Sequence, residues 1–88
     1  MITLVLYSKP GCHLCEGLQE KLEQIQDLSL RIEVRDITTN PDWFQAYQYE
    51  VPVLHHSVSE AVETPLPRPS PRLSTEQLEA FLLKHLTP

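Results

Sequence analysis

The chain has 88 residues, 41% of them hydrophobic, which suits one small domain (residues 1–88) built on one core. A net charge of −5 argues against nucleic acid or an anionic membrane as the main partner, and two cysteines are too few for a secreted disulfide scaffold. Met1-Ile2-Thr3 has no basic lead and the apolar run Ile2 to Tyr7 is too short for a signal peptide or a membrane span, so a soluble, cytoplasmic monomer with a mostly reduced dithiol is expected.

Ile2 to Tyr7 is β-rich and almost continuously apolar, as a central strand covered on both faces would be. Ser8-Lys9-Pro10-Gly11 ends it with a turn pair, and Gly11 removes side-chain bulk beside Cys12. A helix is predicted over Cys12 to Gln26, with Cys15, Leu18, Leu22 and Ile25 forming one buried stripe and Gly17 weakening it slightly. Leu28 to Ile37 reads as a second strand, with Leu30, Ile32, Val34 and Asp36 alternating against Arg31, Glu33 and Arg35. Strand, helix and strand in this order predict parallel pairing through a right-handed crossover.

Asn40-Pro41 is a helix start, a cap followed by proline, and Trp43, Phe44 and Tyr47 mark the apolar side of a short helix ending near Tyr49. Val51-Pro52-Val53-Leu54 opens a third strand, with a turn near Ser57 to Glu60 and a fourth strand from Ala61 to Leu66. Pro65 to Pro71 is proline-rich and extended. Ser74-Thr75-Glu76-Gln77 is a capping box, and the final helix places Leu78, Phe81, Leu82 and Leu86 on the core.

The chemistry concentrates in Cys12-His13-Leu14-Cys15. Residues three apart share a helix face, so the two sulfurs can meet around the first turn as a reversible dithiol. A helix N-terminus supplies partial positive charge and free N–H groups, which lower a thiol pKa from about 8.5 to roughly 7 or below. Cys12 lies at the exposed start and Cys15 on the buried stripe, so Cys12 is read as the attacking sulfur and Cys15 as the resolving one. Glu16 opposes the thiolate; Lys9 either stabilises it or orients a substrate carboxylate. The simpler reading makes both cysteines small core residues, and the Pro-Gly turn before them argues against it.

The order β-α-β-α-β-β-α, with Cys-x-x-Cys opening the first helix, resembles the thioredoxin superfamily. The implied fold is α/β, a four-stranded mixed sheet flanked by three helices. Tyr7-Ser8-Lys9-Pro10-Gly11-Cys12 is similar to glutaredoxins, and the Cys-x-Leu-Cys form together with Tyr47 resembles the bacterial glutaredoxin-like group. The resemblance implies thiol–disulfide oxidoreductase activity on a disulfide-containing protein or small molecule, with no bound cofactor and with a reductase or glutathione as electron donor. It also implies that Val51-Pro52 is a cis bond packed against the dithiol, so that Lys9, Val51 and Pro52 form the substrate-binding surface. Three departures stand out. His13-Leu14 replaces Pro-Tyr, Glu50 replaces a threonine, and Pro65 to Pro71 lacks the Gly-Gly that admits glutathione. They disfavour glutathione as the reductant.

Two other classes stay open. One is a non-catalytic adaptor for protein partners. The other is a metal carrier using Cys12, Cys15 and one of His55 or His56, although adjacent strand residues face opposite ways. Arg68 and Arg72 are candidate carboxylate ligands set among solubilising charges.

Overall fold

The computed structural model describes residues 2–59 and 62–86. β1 (Ile2–Ser8) is the central strand expected from its composition: Leu4, Val5, Leu6 and Tyr7 are all buried. It pairs in parallel with β2 (Leu30–Asp36), from Ile2 opposite Leu30 to Ser8 opposite Asp36, and antiparallel with β3 (Val53–Ser59). β3 pairs antiparallel with β4 (Val62–Pro65), giving a mixed sheet of order β2-β1-β3-β4. The third and fourth strands are thus a hairpin longer than expected at its Ser57 end; Glu60 and Ala61, the expected turn and strand start, lie outside the described residues.

Alternation along β1 sends Leu4 and Leu6 to one face of the sheet and Val5 and Tyr7 to the other. On the first face they meet Leu22 of α1 (His13–Gln24) and Leu78 and Leu82 of α3 (Thr75–Leu86), together with Leu54 of β3. On the second face Val5 and Tyr7 pack with Ile37, Trp43, Tyr47, Val51 and Val53. Here the cover is a 3-10 turn (Ile37–Thr39) and the seven-residue α2 (Pro41–Tyr47), far less than two full helices.

Both caps read from the sequence form. Asn40 Oδ1 accepts from the N–H groups of Asp42 (2.9 Å) and Trp43 (3.4 Å). Ser74 and Gln77 exchange reciprocal bonds, Ser74 N–H to Gln77 Oε1 at 2.9 Å and Gln77 N–H to Ser74 Oγ at 3.1 Å. Several expectations need correction. α1 stops at Gln24, because Ile25 turns to extended backbone (φ −72°, ψ 119°) while remaining buried. In β2, Leu30 and Ile32 reach the core, whereas Val34 is 43% exposed: β2 is an edge strand and the helix-side cluster stops at Ile32. Asp36 belongs to no apolar face; its Oδ1 caps the 3-10 turn through the Thr38 N–H (2.9 Å) and hydroxyl (2.6 Å). Phe44 is 41% exposed, one position off the Trp43–Tyr47 face, and α2 ends before Gln48.

The Val51-Pro52 peptide is cis. β3 begins at Val53 rather than Val51, since the Val51 N–H donates back to Tyr47 O (3.0 Å) and Pro52 has none to give. After β4 the chain runs without regular structure to α3. Lys21 Nζ holds this stretch by donating to Pro71 O at 2.9 Å, and Arg68 Nη2 by donating to Glu50 O.

Candidate active site

The central strand delivers the chain to the sheet's edge at Ser8, and Lys9-Pro10-Gly11 reverses it into α1. Gly11 sits at φ +78°, in the left-handed region where a side chain is strained, and the Cys12 N–H closes the turn on Lys9 O at 3.3 Å. Cys12 is the N-cap of α1, with extended backbone (φ −88°, ψ 102°). Its Sγ accepts from the Cys15 N–H at 3.2 Å, a sulfur doing what a serine or aspartate oxygen usually does at a helix start.

Cys12 and Cys15 are joined in a disulfide across a Cα–Cα distance of 5.3 Å. The two sulfurs have unequal surroundings. Cys12 is half-buried at the surface, while Cys15 is 2% exposed, on the stripe that continues to Leu22. Glu16 N–H donates to Cys12 O at 3.1 Å, and the Glu16 carboxylate lies 3.6 Å from His13 Nδ1, both side chains open to solvent.

The other expected site residues surround the motif without all facing it. Pro52 is buried and shares a cavity with His13 and Leu14. Val51 is half-buried with its N–H taken by Tyr47. Lys9 Nζ reaches the carbonyl of Gln48 at 3.2 Å, tying the turn before Cys12 to the end of α2. Of the two arginines, Arg68 donates to Glu50 O and stands 3.8 Å from the Glu50 carboxylate, while Arg72 bonds through its backbone N–H to Ser70 Oγ (3.2 Å). His55 turns to Glu63 (Nδ1 to Oε1, 3.1 Å), away from the cysteines. No group of three or more His, Cys, Asp or Glu side chains among the described residues is arranged to hold a metal ion.

Two features escape a reading of the sequence. One is a cavity of about 320 Å³ along α1, lined by Leu14, Gly17, Leu18 and Pro52 and walled by Pro69 and Pro71. Its α1 lining at positions 14, 17, 18 and 21 is one helical face, the only hint the sequence holds.

The other is a charged cluster on the sheet face that α2 leaves thinly covered. Glu63 of β4 accepts from Tyr7 OH (3.0 Å), from Arg35 Nη1 (2.8 Å) and from His55. Arg35 also bonds Tyr7 OH (2.7 Å) and lies over the Tyr7 and Trp43 rings at 5.4 and 5.5 Å. Burial pushes the Glu63 carboxyl up, but the bonds from Arg35, Tyr7 and His55 outweigh it and hold its pKa below the ordinary value. Burial likewise raises the Tyr7 phenol, helped by its bond to Glu63. Burial lowers the Arg35 guanidinium, and its carboxylate partners Glu63 and Glu33 more than reverse this.

A mixed α/β sheet of this order, with Cys-x-x-Cys at the start of the first helix and a cis-proline before the third strand, defines the thioredoxin-like class. Within it the chain belongs to the glutaredoxin-like family: the Glutaredoxin-like domain (DUF836) matches residues 3–83. Among solved structures it is similar to the Northeast Structural Genomics target protein XcR50 from X. campestris, with 27% identity, a TM-score of 0.64, and coverage of 97% of this chain and 99% of that one. A malarial protein shares the fold at 16% identity and a TM-score of 0.66, covering 99% of both chains. No curated protein matches the chain.

Proposed function

We propose that the protein is a thiol–disulfide oxidoreductase in which Cys12 attacks and Cys15 resolves. The observation that carries this is the unequal access of two bonded sulfurs at a helix start: Cys12 half-exposed, Cys15 at 2%, with the Cys15 N–H aimed at Cys12 Sγ. Once the pair is reduced, that N–H and the free N–H groups of the first turn favour the Cys12 thiolate.

The thiolate attacks a substrate disulfide, forming a Cys12–substrate mixed disulfide and releasing one substrate thiolate. Cys15, deprotonated, then attacks the Cys12 sulfur. This forms the internal disulfide and releases the second substrate thiolate. Two electrons and two protons pass from the dithiol to the substrate. Resolution needs only a small movement, because the cysteines already lie within bonding reach.

Reduction of the internal disulfide falls to a protein reductase in preference to glutathione. The segment from Pro65 to Pro71 holds no glycine that would let glutathione approach its backbone closely. A reducing compartment such as the cytoplasm suits this cycle. No helix among the described residues is long and apolar enough to cross a membrane.

The test is reduction of a protein disulfide and of a glutathione mixed disulfide by Cys12→Ser and Cys15→Ser, with thioredoxin reductase or glutathione and its reductase as the electron source. Cys12→Ser should abolish both reactions. Cys15→Ser should reduce the protein substrate severely less and trap it as a mixed disulfide. Full activity of Cys15→Ser on the glutathione substrate would establish a monothiol route instead, and inactivity of the unmodified protein on every disulfide would leave the adaptor role.

A further inference from the structure

Gly17 stands in the middle of α1, where glycine weakens a helix relative to alanine. Nothing in the fold asks for it. Its backbone is ordinary helix, and a Cβ built there would meet no atom within 4 Å beyond its chain neighbours and its own helix backbone. The space left open is the cavity beside the dithiol, which Gly17 lines together with Leu14, Leu18 and Pro52. A packing reason for glycine is therefore absent, and an open recess is what its lack of a side chain achieves.

The recess holds about 320 Å³, at the small end of the ~300–1,000 Å³ found for ligand pockets. Its floor is aliphatic, and the ionisable side chains among its described lining residues are His13, Lys21 and Arg68. None is acidic, although acidic residues outnumber basic ones, 12 to 7, in the whole chain. Lys21 and Arg68 each give one bond to a backbone carbonyl and keep further donors; Arg68 also stands 3.8 Å from the exposed Glu50 carboxylate, which an incoming carboxylate would displace or share.

We propose that this recess is a specificity pocket that takes a large apolar side chain flanking the disulfide cysteine of a partner protein, with a carboxylate on that partner meeting Arg68 and Lys21. The inference rests on the dithiol exchange described above and adds the class of substrate it serves. Glutathione fits the recess poorly, since it brings two carboxylates and an ammonium but no large apolar group.

The probes are short synthetic peptides with one cysteine held in a mixed disulfide with a nitrothiobenzoate chromophore. One series carries leucine or serine beside the cysteine, and a second adds glutamate or lysine. Single-turnover exchange with the reduced protein is followed by absorbance, and binding to the oxidised protein by amide shifts of Leu18 and Leu73.

The leucine peptide should react about 10- to 100-fold faster than the serine one, the range that pocket contacts of this size give. Glutamate should be preferred to lysine, and the preference should fade with added salt and in Arg68→Gln. Gly17→Leu fills the recess, so it should bring the leucine- and serine-peptide rates to within about twofold of each other. Circular dichroism of Gly17→Leu checks that it folds, and Gly17→Ala, which adds only a Cβ, should keep the spectrum of the unmodified protein.

Equal rates on leucine and serine peptides, a leucine preference that survives Gly17→Leu, or faster reaction with the glutathione mixed disulfide than with any peptide would overturn the pocket and leave the dithiol chemistry standing. No exchange with any peptide, alongside leucine-dependent shifts at Leu18 and Leu73, would overturn the dithiol chemistry and leave the pocket standing.

Discussion

Arg35→Met tests whether the charged cluster on the thin side of the sheet holds the strands together. Methionine keeps the length of the stem and removes the guanidinium. The change deletes the 2.8 Å bond to Glu63 and the 2.7 Å bond to Tyr7 OH, and leaves a carboxylate whose side chain is only 26% exposed. A hydrogen bond to a charged group contributes about 1.5–3 kcal/mol. Stacking over Tyr7 and Trp43 adds about 0.5–1 kcal/mol, of which methionine retains a share. The bond to Glu33, itself 47% exposed, adds close to nothing. Breaking a fully buried ion pair costs about 3–5 kcal/mol, but Glu63 is not fully buried and keeps its bonds from Tyr7 and His55. The expected loss is therefore about 2–3 kcal/mol at pH 7, or roughly 10–20 °C in Tm for a domain of this size.

The pH dependence supplies an independent check. Glu63 has a lower pKa folded than unfolded, so its contribution is complete above the unfolded carboxyl value of about 4.3 and fades as pH falls through the folded one. Removing Arg35 removes much of that difference, so the gap between the two proteins should narrow below about pH 4. Urea denaturation at pH 7 and at the lowest pH where both proteins stay folded measures it. A loss under about 0.5 kcal/mol at pH 7, or the same gap at both pH values, would refute the reasoning.

Two further outcomes follow from exposure and capping. After reduction, Cys12 should alkylate with iodoacetamide much faster than Cys15 near neutral pH, as peptide mapping would reveal; a faster Cys15 would reverse the assigned roles. Ser74→Ala removes the acceptor for the Gln77 N–H and should lower stability by about 0.5–2 kcal/mol in chemical denaturation, with the redox rate on a small disulfide unchanged.

What could be read from the sequence and what could not divide along a physical line. Local signals survived folding. The Asn40 and Ser74 caps, the Cys15–Leu22 stripe and the buried run Leu4–Tyr7 depend on neighbours a few residues away. The errors came where a face is decided by distant chain. Alternation in β2 pointed Val34 inward, yet an edge strand has only partial cover there, and Arg35 on the opposite face is the residue tied into the fold. Glu63 lies 28 residues from Arg35 and 56 from Tyr7, so its partners are set only by the β2–β1–β3–β4 register. The same holds at the site. The cysteine pair announces itself by spacing, whereas the cavity exists only because the prolines before α3 come to lie against α1.

Those prolines bear on how long a partner seated in the proposed recess would stay bound. Pro65, Pro67, Pro69 and Pro71 enter folding with φ already restricted, so the stretch surrenders little chain freedom when it settles between its Lys21 and Arg68 tethers. A floppy loop in the same place would have to be ordered at each encounter, at about 0.5–1.5 kcal/mol for every side chain immobilised. Here that ordering is complete before any partner arrives. Loosening the stretch, by glycine at Pro67 and Pro69 for instance, should shorten the lifetime of each encounter complex even though every contacting group on the α1 side is still present.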